Sequence, residues 1–166
     1  MADIMRDAQK RIEDIRRRTV KIVVRRDGSP VPDAQVELRM NRHQFLFGCD
    51  CYCANTYDTP EKEKRHKELF SGLFNYATLP FYWGQYEPVR GEKSEKRLSN
   101  MVEWCKSIDL STKGHPLVWH EILPDWLNSD HDIEKLIQER IEDLMERFGD
   151  QIDYWDLFNE ITVSQR

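Results

Sequence analysis

The sequence has no long apolar run and no excess of positive charge. No stretch approaches the ~20 apolar residues that a membrane-spanning helix needs, which argues against a membrane protein. The first residues, Met1–Arg6, lack the apolar core of a signal peptide. We therefore expect a cytoplasmic protein, or one whose export signal lies outside this sequence. The net charge of −5 argues against a nucleic-acid partner, because surfaces that bind phosphate backbones are basic.

Cysteine is also scarce. Four cysteines in 166 residues are too few for the disulfide scaffold of a small secreted domain. Three of them, Cys49, Cys51 and Cys53, form a C-x-C-x-C run, which in an extended segment would present three thiols on one face. A metal or redox site is one interpretation of this run. Structural thiols are favoured, because zinc sites usually need a second cysteine pair and Cys105 falls in a predicted helix.

The composition is that of a folded globular domain. Hydrophobic residues make up 39% of the sequence and charged residues 33%, which excludes a disordered chain. The length fits one domain of ordinary size, and such a chain can bury roughly 70% of its unfolded surface. The five tryptophans lie between Trp83 and Trp155, and indole rings are found both in cores and in sugar-binding clefts.

Residues 1–42 are predicted to form an N-terminal module, a helix followed by a small β-hairpin. The spacing of apolar residues indicates a helix over residues 3–18. Its last residues, Arg16–Arg18, are interpreted as a solvated helix end rather than a basic binding patch. β-Branched content predicts a strand over Thr19–Arg25, and apolar alternation predicts another over Ala34–Met40. A Gly-Ser-Pro turn connects the two strands.

Residues 43–166 are predicted to form a second domain, in which strands and helices alternate. This alternation is typical of right-handed crossovers and a parallel sheet, and so of an α/β fold. The last strand, Ile152–Phe158, is apolar on both faces and is predicted to be buried beneath helices. The predicted strands cover residues 43–48, 73–79, 112–120 and 152–158, and the predicted helices cover 61–70, 94–108 and 129–148.

Polar and aromatic side chains occur together at three predicted strand ends. They are Tyr82-Trp83 with Glu87, His115 with Trp119-His120, and Asn159-Glu160. In a parallel barrel such ends meet at one mouth. Their carboxyl, imidazole, amide and indole groups favour a carbohydrate site, since indole faces stack on sugar rings. Taken alone, Glu160 is better interpreted as an ordinary strand-end carboxylate in solvent, because one Glu after one strand is a weak signal.

Four motifs resemble those of the family 10 glycoside hydrolases, the endo-β-1,4-xylanases. They are Lys113–His120 (KGHPLVWH), Pro124–Leu127 (PDWL), Trp155–Glu160 (WDLFNE) and Glu87–Gly91 (EPVRG). The resemblance extends from about Phe45 to the end of the sequence. It implies an α/β fold, a partial TIM (β/α)8 barrel of about the first four β/α units. It also implies retaining hydrolysis of a β-linked polysaccharide, xylan or a related glycan.

The resemblance assigns roles to individual residues and requires no cofactor or metal. Glu160 would be the general acid/base, which protonates the departing glycosidic oxygen and then deprotonates the attacking water. Asn159 would bind the sugar 2-hydroxyl, His115 would bind hydroxyls at the cleavage subsite, and Trp119 would shape that subsite. His120 is interpreted as a supporting residue. The full substrate-binding set is Asn159, His115, Trp119, Trp83 and Tyr82.

The sequence departs from the family pattern at the second barrel strand. Where the family has Glu-Asn-x-Met-Lys-Trp, this sequence has Thr-Leu-Pro-Phe-Tyr-Trp over residues 78–83. The Glu, Asn and Lys are thus replaced by Thr78, Leu79 and Tyr82. A hydrogen bond to a buried sugar hydroxyl is worth roughly 1–3 kcal/mol. The loss of three such partners alters recognition of the sugar, so the substrate can be a glycan other than xylan.

The second departure concerns the nucleophile. A retaining enzyme needs another carboxylate ~5–5.5 Å from the acid/base, and in this family it comes from the seventh strand. Neither Glu87 nor Glu121 matches that motif. We therefore expect the front half of an enzyme, inactive alone, whose partner is the missing C-terminal half of the barrel. Two other hypotheses stay open, namely a non-catalytic glycan-binding half-barrel and a metal or redox protein built on the three-cysteine run.

Overall fold

The computed structural model describes residues 2–42 and 44–162, which divide after Asn41 into two compact units. The predicted N-terminal helix is confirmed, and a short antiparallel hairpin follows it in the first unit. The elements of this unit are α1 (Ala2–Arg16), β1 (Arg25–Arg26) and β2 (Ser29–Pro30).

The predicted hairpin is wrong in its extent. Its two strands are only two residues long each, and Ala34–Met40 has no strand. Val20, Leu38 and Met40 are 74%, 76% and 78% exposed, so the apolar alternation has no surface to pack against. Strand preference reflects packing on a half-buried sheet more than an intrinsic backbone tendency, which is why alternation alone did not produce these strands.

The second unit alternates strands and helices along the chain, as predicted. In residues 2–42 and 44–162 no helix is both long enough and apolar enough to cross a membrane. The elements of the second unit are β3 (Gly48–Asp50), α2 (Pro60–Leu73), β4 (Tyr76–Pro80), α3 (Trp83–Tyr86), α4 (Glu95–Ser107), β5 (Ser111–His115), α5 (Ile133–Phe148) and β6 (Tyr154–Trp155).

The strands of this unit form one parallel sheet in the order β3-β4-β5-β6. The longest pairing joins β4 to β5, from Tyr76 beside Ser111 to Pro80 beside His115. Consecutive strands are neighbours, and every connection between them contains a helix. The sheet therefore advances in one direction, as it does in a TIM barrel. The predicted parallel α/β architecture is confirmed as part of a barrel.

Helix α5 begins later than the sequence pattern predicted. Its N-cap is Asp132, whose carboxylate accepts the N–H of Lys135 at 3.1 Å. The helix therefore starts at Ile133, rather than at the predicted Ser129. A carboxylate at this position satisfies a free N–H and opposes the positive end of the helix dipole.

The core lies between the sheet and the helices. Ala77 and Leu79 of β4 are fully buried and belong to one apolar cluster with Met101 and Leu144. On β5, Gly114 leaves room for the Trp155 ring, because a Cβ on Gly114 would lie 2.3 Å from Trp155 Cζ3. The helix-facing side of the sheet is thus closely packed across neighbouring strands.

The last strand is not buried as predicted. Tyr154, Leu157 and Phe158 are 49%, 48% and 47% exposed, and regular strand structure is confined to Tyr154–Trp155. In the described sheet β6 is an edge strand that pairs with β5 alone. A run that is apolar on both faces is typical of a strand covered on both sides, and β6 lacks that cover.

Candidate active site

The sheet has an open face opposite its helices. Along β4, Ala77 and Leu79 point into the core while Thr78 between them remains partly exposed. On β5, Lys113 and His115 likewise alternate with buried neighbours and are partly exposed. Because successive side chains of a strand point to opposite faces, these polar residues share the side that would line a barrel interior.

Asp156 ties two neighbouring strands together on the open face. Its Oδ2 accepts from Lys113 Nζ at 2.8 Å and lies 2.7 Å from His115 Nδ1. Burial alone would raise the pKa of Asp156, but the hydrogen bonds and positive charge of these two partners lower it below its ordinary value. The sequence analysis quoted Lys113 and Asp156 within motifs but gave them no role, although Lys113 has the two-residue spacing from His115 that places both on one face.

Aromatic rings connect His115 to Glu160 along one edge of this face. The Tyr82 ring lies 5.7 Å from the His115 ring and 5.7 Å from the Trp119 ring. Trp119 Nε1–H donates to Glu160 Oε2 at 3.0 Å. The structure thus brings together Tyr82 after β4, His115 and Trp119 at and after the end of β5, and Glu160 after β6.

Glu160 is held at the mouth by the pairing of two loops. The segment after β6 runs beside the segment after β5, through N–H···O bonds from Val118 to Leu157 (3.0 Å) and from Asn159 to Val118 (3.0 Å). Glu160 then adopts a left-handed φ of 51°, a conformation uncommon for residues other than glycine. Its side chain is exposed, with the Trp119 N–H as its hydrogen-bond donor.

The remaining two residues of the predicted set, Trp83 and Asn159, line a hollow that Trp119 also lines. Trp83 is only 2% exposed, donates its indole N–H to Glu87 Oε2 at 3.2 Å and packs against Trp126. Together with Asn159 it lines an apolar hollow of about 290 Å³, beside Phe158. The structure therefore places Trp83 beneath the surface, while its neighbour in sequence, Tyr82, lies on the open face.

Tyr52, which follows β3, also joins the aromatic edge and was missed in the sequence analysis. The Tyr82 hydroxyl donates to the Tyr52 hydroxyl at 3.2 Å, and the two rings meet edge to face at 5.7 Å. The only available signal was its place shortly after a predicted strand, which is the same signal that identified Tyr82.

The three-cysteine run does not form one face. Cys51 is buried, whereas Cys49 and Cys53 are exposed, and the chain turns from Tyr52 onward, which takes Cys53 out of the extended run. Burial is the main cause of the raised pKa of the Cys51 thiol, and it raises the pKa of Cys105 to about 12. Within the part of the chain that the structure describes, no group of three or more His, Cys, Asp or Glu side chains could hold a metal ion.

Fold and site together define a partial (β/α) barrel with a candidate site at its strand ends. Its strand ends present a carboxylic acid, an imidazole and a row of aromatic rings on one face. The sequence model of glycosyl hydrolase family 10 matches residues 41–166. The chain belongs to glycosyl hydrolase family 10.

The chain is similar to curated proteins of two kinds. It is 27% identical over 161 residues to anti-sigma-I factor RsgI6 of Acetivibrio thermocellus, an alignment that covers 93% of this chain and 20% of that protein. It is 24% identical over 143 residues to endo-1,4-beta-xylanase 2 of Arabidopsis thaliana, covering 81% of this chain and 13% of the plant protein. The chain thus spans a fifth or less of the length of these two relatives.

Solved xylanase structures share the fold. A GH10 endoxylanase from a sugarcane soil metagenome superposes with a TM-score of 0.62 at 24% identity, covering 74% of this chain and 39% of that chain. Native xylanase 10B from Thermotoga maritima gives a TM-score of 0.61 at 23% identity, covering 71% of this chain and 37% of the xylanase chain. At this level of identity the likeness concerns the fold alone, and it agrees with a partial TIM barrel.

Proposed function

We propose that this chain supplies the general acid/base and part of the glycan cleft of a retaining glycoside hydrolase of the endo-β-1,4-xylanase type. The observation that carries the proposal is the 3.0 Å bond from Trp119 Nε1–H to the Glu160 carboxylate. This bond holds the acid beside the aromatic edge and on the mouth side of the parallel sheet. Membership of glycosyl hydrolase family 10 supports the reaction class.

In this proposal Glu160 protonates the departing glycosidic oxygen and then deprotonates the attacking water. Asn159, whose backbone is fixed by Val118, binds the sugar 2-hydroxyl. His115 Nδ1 is held by Asp156, so Nε2 is the ring nitrogen that remains for a sugar hydroxyl. The Tyr82 and Trp119 rings pack against the sugar. The glycan is xylan or a related β-linked polysaccharide.

In this proposal the nucleophile is supplied by a further part of the barrel. The family resemblance assigns it to the seventh barrel strand, whereas the described sheet has four strands. Glu87 is used structurally, since its carboxylate accepts from Trp83 Nε1 at 3.2 Å and from the Gly91 N–H at 2.7 Å. The chain alone is therefore expected to bind glycan without hydrolysing it.

The acid/base role is tested by Glu160→Gln in a protein that carries this sequence within a complete barrel. Loss of a general acid lowers turnover typically 10²–10⁴-fold, so turnover of xylan should fall by about this factor. For an aryl xyloside the loss in kcat/KM should be much smaller, because kcat/KM reports the first step and a good leaving group departs without protonation. Its kcat should still fall, because Glu160 also deprotonates the water in the second step. Glu146→Gln, at an exposed carboxylate on α5, is the matched control. Full turnover of xylan by the Glu160→Gln variant would refute the assignment.

A non-catalytic glycan-binding module is the second candidate. It is favoured by the three residues of the second barrel strand that differ from the family pattern. Of these, Leu79 is buried in the core and the Tyr82 ring contacts the rings of His115 and Trp119. Two measurements on both the 166-residue chain and a complete barrel distinguish the two candidate functions. They are calorimetry with xylo-oligosaccharides and analysis of the hydrolysis products. Binding without turnover even in the complete barrel favours the module, and absence of binding by either protein contradicts both candidates.

A further inference from the structure

We infer that Tyr52 is a sugar-binding residue, which extends the aromatic edge of Tyr82 and Trp119 to a sugar unit farther from Glu160. The inference rests on the proposed function, because it assigns one more residue to the same cleft. Each strand of the sheet contributes one member to this row. Tyr52 follows β3, Tyr82 follows β4, Trp119 follows β5 and Glu160 follows β6.

The row is continuous from one end of the sheet to the other. Tyr52 meets Tyr82 edge to face with ring centroids 5.7 Å apart, and Tyr82 lies 5.7 Å from Trp119. Trp119 in turn donates to Glu160. Since neighbouring strands of a sheet are about 4.7–4.9 Å apart, Tyr52 lies roughly three strand spacings from the acid along this direction. A polysaccharide chain that extends from Glu160 across the mouth would contact Tyr82 before it contacts Tyr52.

Tyr52 is held in place through its backbone. Its carbonyl oxygen accepts from Arg97 Nη2 at 3.1 Å. The preceding residue, Cys51, is buried and donates its N–H to the Thr78 carbonyl at 2.9 Å, which continues the β3–β4 pairing past the end of β3. The Tyr52 ring itself remains partly exposed. A fixed backbone with a partly exposed ring is a preorganised binding surface, since little conformational entropy is lost when a ligand binds.

The chemistry of the pair favours a neutral sugar. The Tyr82 hydroxyl donates to Tyr52, which leaves the Tyr52 hydroxyl proton available to a ligand oxygen. Burial raises the pKa of Tyr52, so this hydroxyl stays protonated at neutral pH. The nearby Lys113 is paired with Asp156. The Tyr82 phenol thus stands where the family pattern has a lysine, and uncharged hydroxyl groups suit an unsubstituted β-linked sugar.

The test measures how affinity depends on oligosaccharide length. Binding of xylobiose through xylohexaose to the 166-residue chain is measured by calorimetry for the wild type, Tyr52→Phe and Tyr52→Ala. We expect Tyr52→Ala to lose about 3- to 10-fold in affinity for the longest oligosaccharides and to match the wild type for the shortest that binds. Tyr52→Phe, which keeps the ring, should lose about threefold or less. Tyr57→Phe, at a hydroxyl that contacts His66 instead, is the control and should match the wild type.

A general loss of folding would reduce affinity for every length, so the length dependence distinguishes a contact from a structural effect. If the alanine variant does not fold, Tyr52→Phe decides the question by the same comparison. If affinity depends on oligosaccharide length in the folded Tyr52 variants as it does in the wild type, the role of Tyr52 is overturned and the proposed function is unaffected. Absence of any binding by the wild-type chain and by a complete barrel that carries it overturns the proposed function, and the role of Tyr52 with it.

Discussion

Arg140 Nε–H donates to the carbonyl oxygen of Leu117 at 2.7 Å, from a side chain that is only 5% exposed. A second nitrogen of the same guanidinium donates to the carbonyl of Phe81. One side chain of α5 therefore holds the segments that follow β4 and β5, which carry Tyr82 and Trp119. Burial lowers the pKa of Arg140 to about 10, which still leaves the group charged at neutral pH.

Replacing this residue should destabilise the fold. In Arg140→Met two buried carbonyl groups lose their donors, at about 1–3 kcal/mol each, so the free energy of unfolding should fall by about 2–5 kcal/mol. Urea unfolding followed by tryptophan fluorescence measures the change. Lys135→Met, on the same helix with a side chain that is 69% exposed, should stay within about 0.5 kcal/mol of the wild type. Equal stability of the two variants would show that the carbonyl contacts contribute little.

Asp156 should contribute to the loss of stability in acid. Its pKa is lowered in the folded protein, below the ordinary aspartate value of about 3.9 that holds in the unfolded chain. Its contribution is therefore complete above the unfolded pKa and is lost as the pH falls through the lowered folded pKa. Asp156→Asn should be less stable than the wild type at pH 6, and the difference should shrink toward pH 2. Chemical unfolding at several pH values measures this, and a difference independent of pH would contradict it.

Two glycine substitutions should have opposite effects. Gly114→Ala places a Cβ against the Trp155 ring, and overpacking of this kind typically costs about 1–3 kcal/mol. Gly72→Ala, in α2, meets nothing within 4 Å, and alanine in a helix is favoured over glycine by about 0.5–1 kcal/mol. Thermal unfolding should thus show a lower midpoint for the first variant and a higher one for the second. A Gly114→Ala protein as stable as the wild type would show that Trp155 can move aside at no cost.

Two tryptophan variants should separate binding from stability. Trp119→Phe keeps an aromatic ring but loses the N–H donated to Glu160, and should weaken xylo-oligosaccharide binding by about 3- to 10-fold. Trp126→Phe loses a bond to the Glu87 carbonyl at 2.9 Å, and should lower stability by about 1 kcal/mol without changing affinity. Calorimetry and urea unfolding on both proteins give the two readouts. Weaker binding by the Trp126 variant would extend the site beyond the open face.

Strand-end position was a good guide to the candidate site but an incomplete one. It identified Tyr82, His115, Trp119 and Glu160, which the structure connects through ring contacts and a hydrogen bond. It assigned no role to Asp156, because a charged residue inside an apolar strand motif gives no sign of which neighbours it will meet. Those neighbours come from β5, 41 and 43 positions earlier in the chain, and only the parallel register brings them together.

The sequence by itself determined the alternation of strands and helices, the parallel sheet and the family, because these follow from periodicity and from motifs within single segments. Tertiary structure decided which apolar residues are buried. Trp83 lies beneath the surface, while Tyr154 and Leu38 are exposed although their local patterns predicted packing. Burial depends on whether another element covers a side chain, and no stretch of sequence contains that information about its own surroundings.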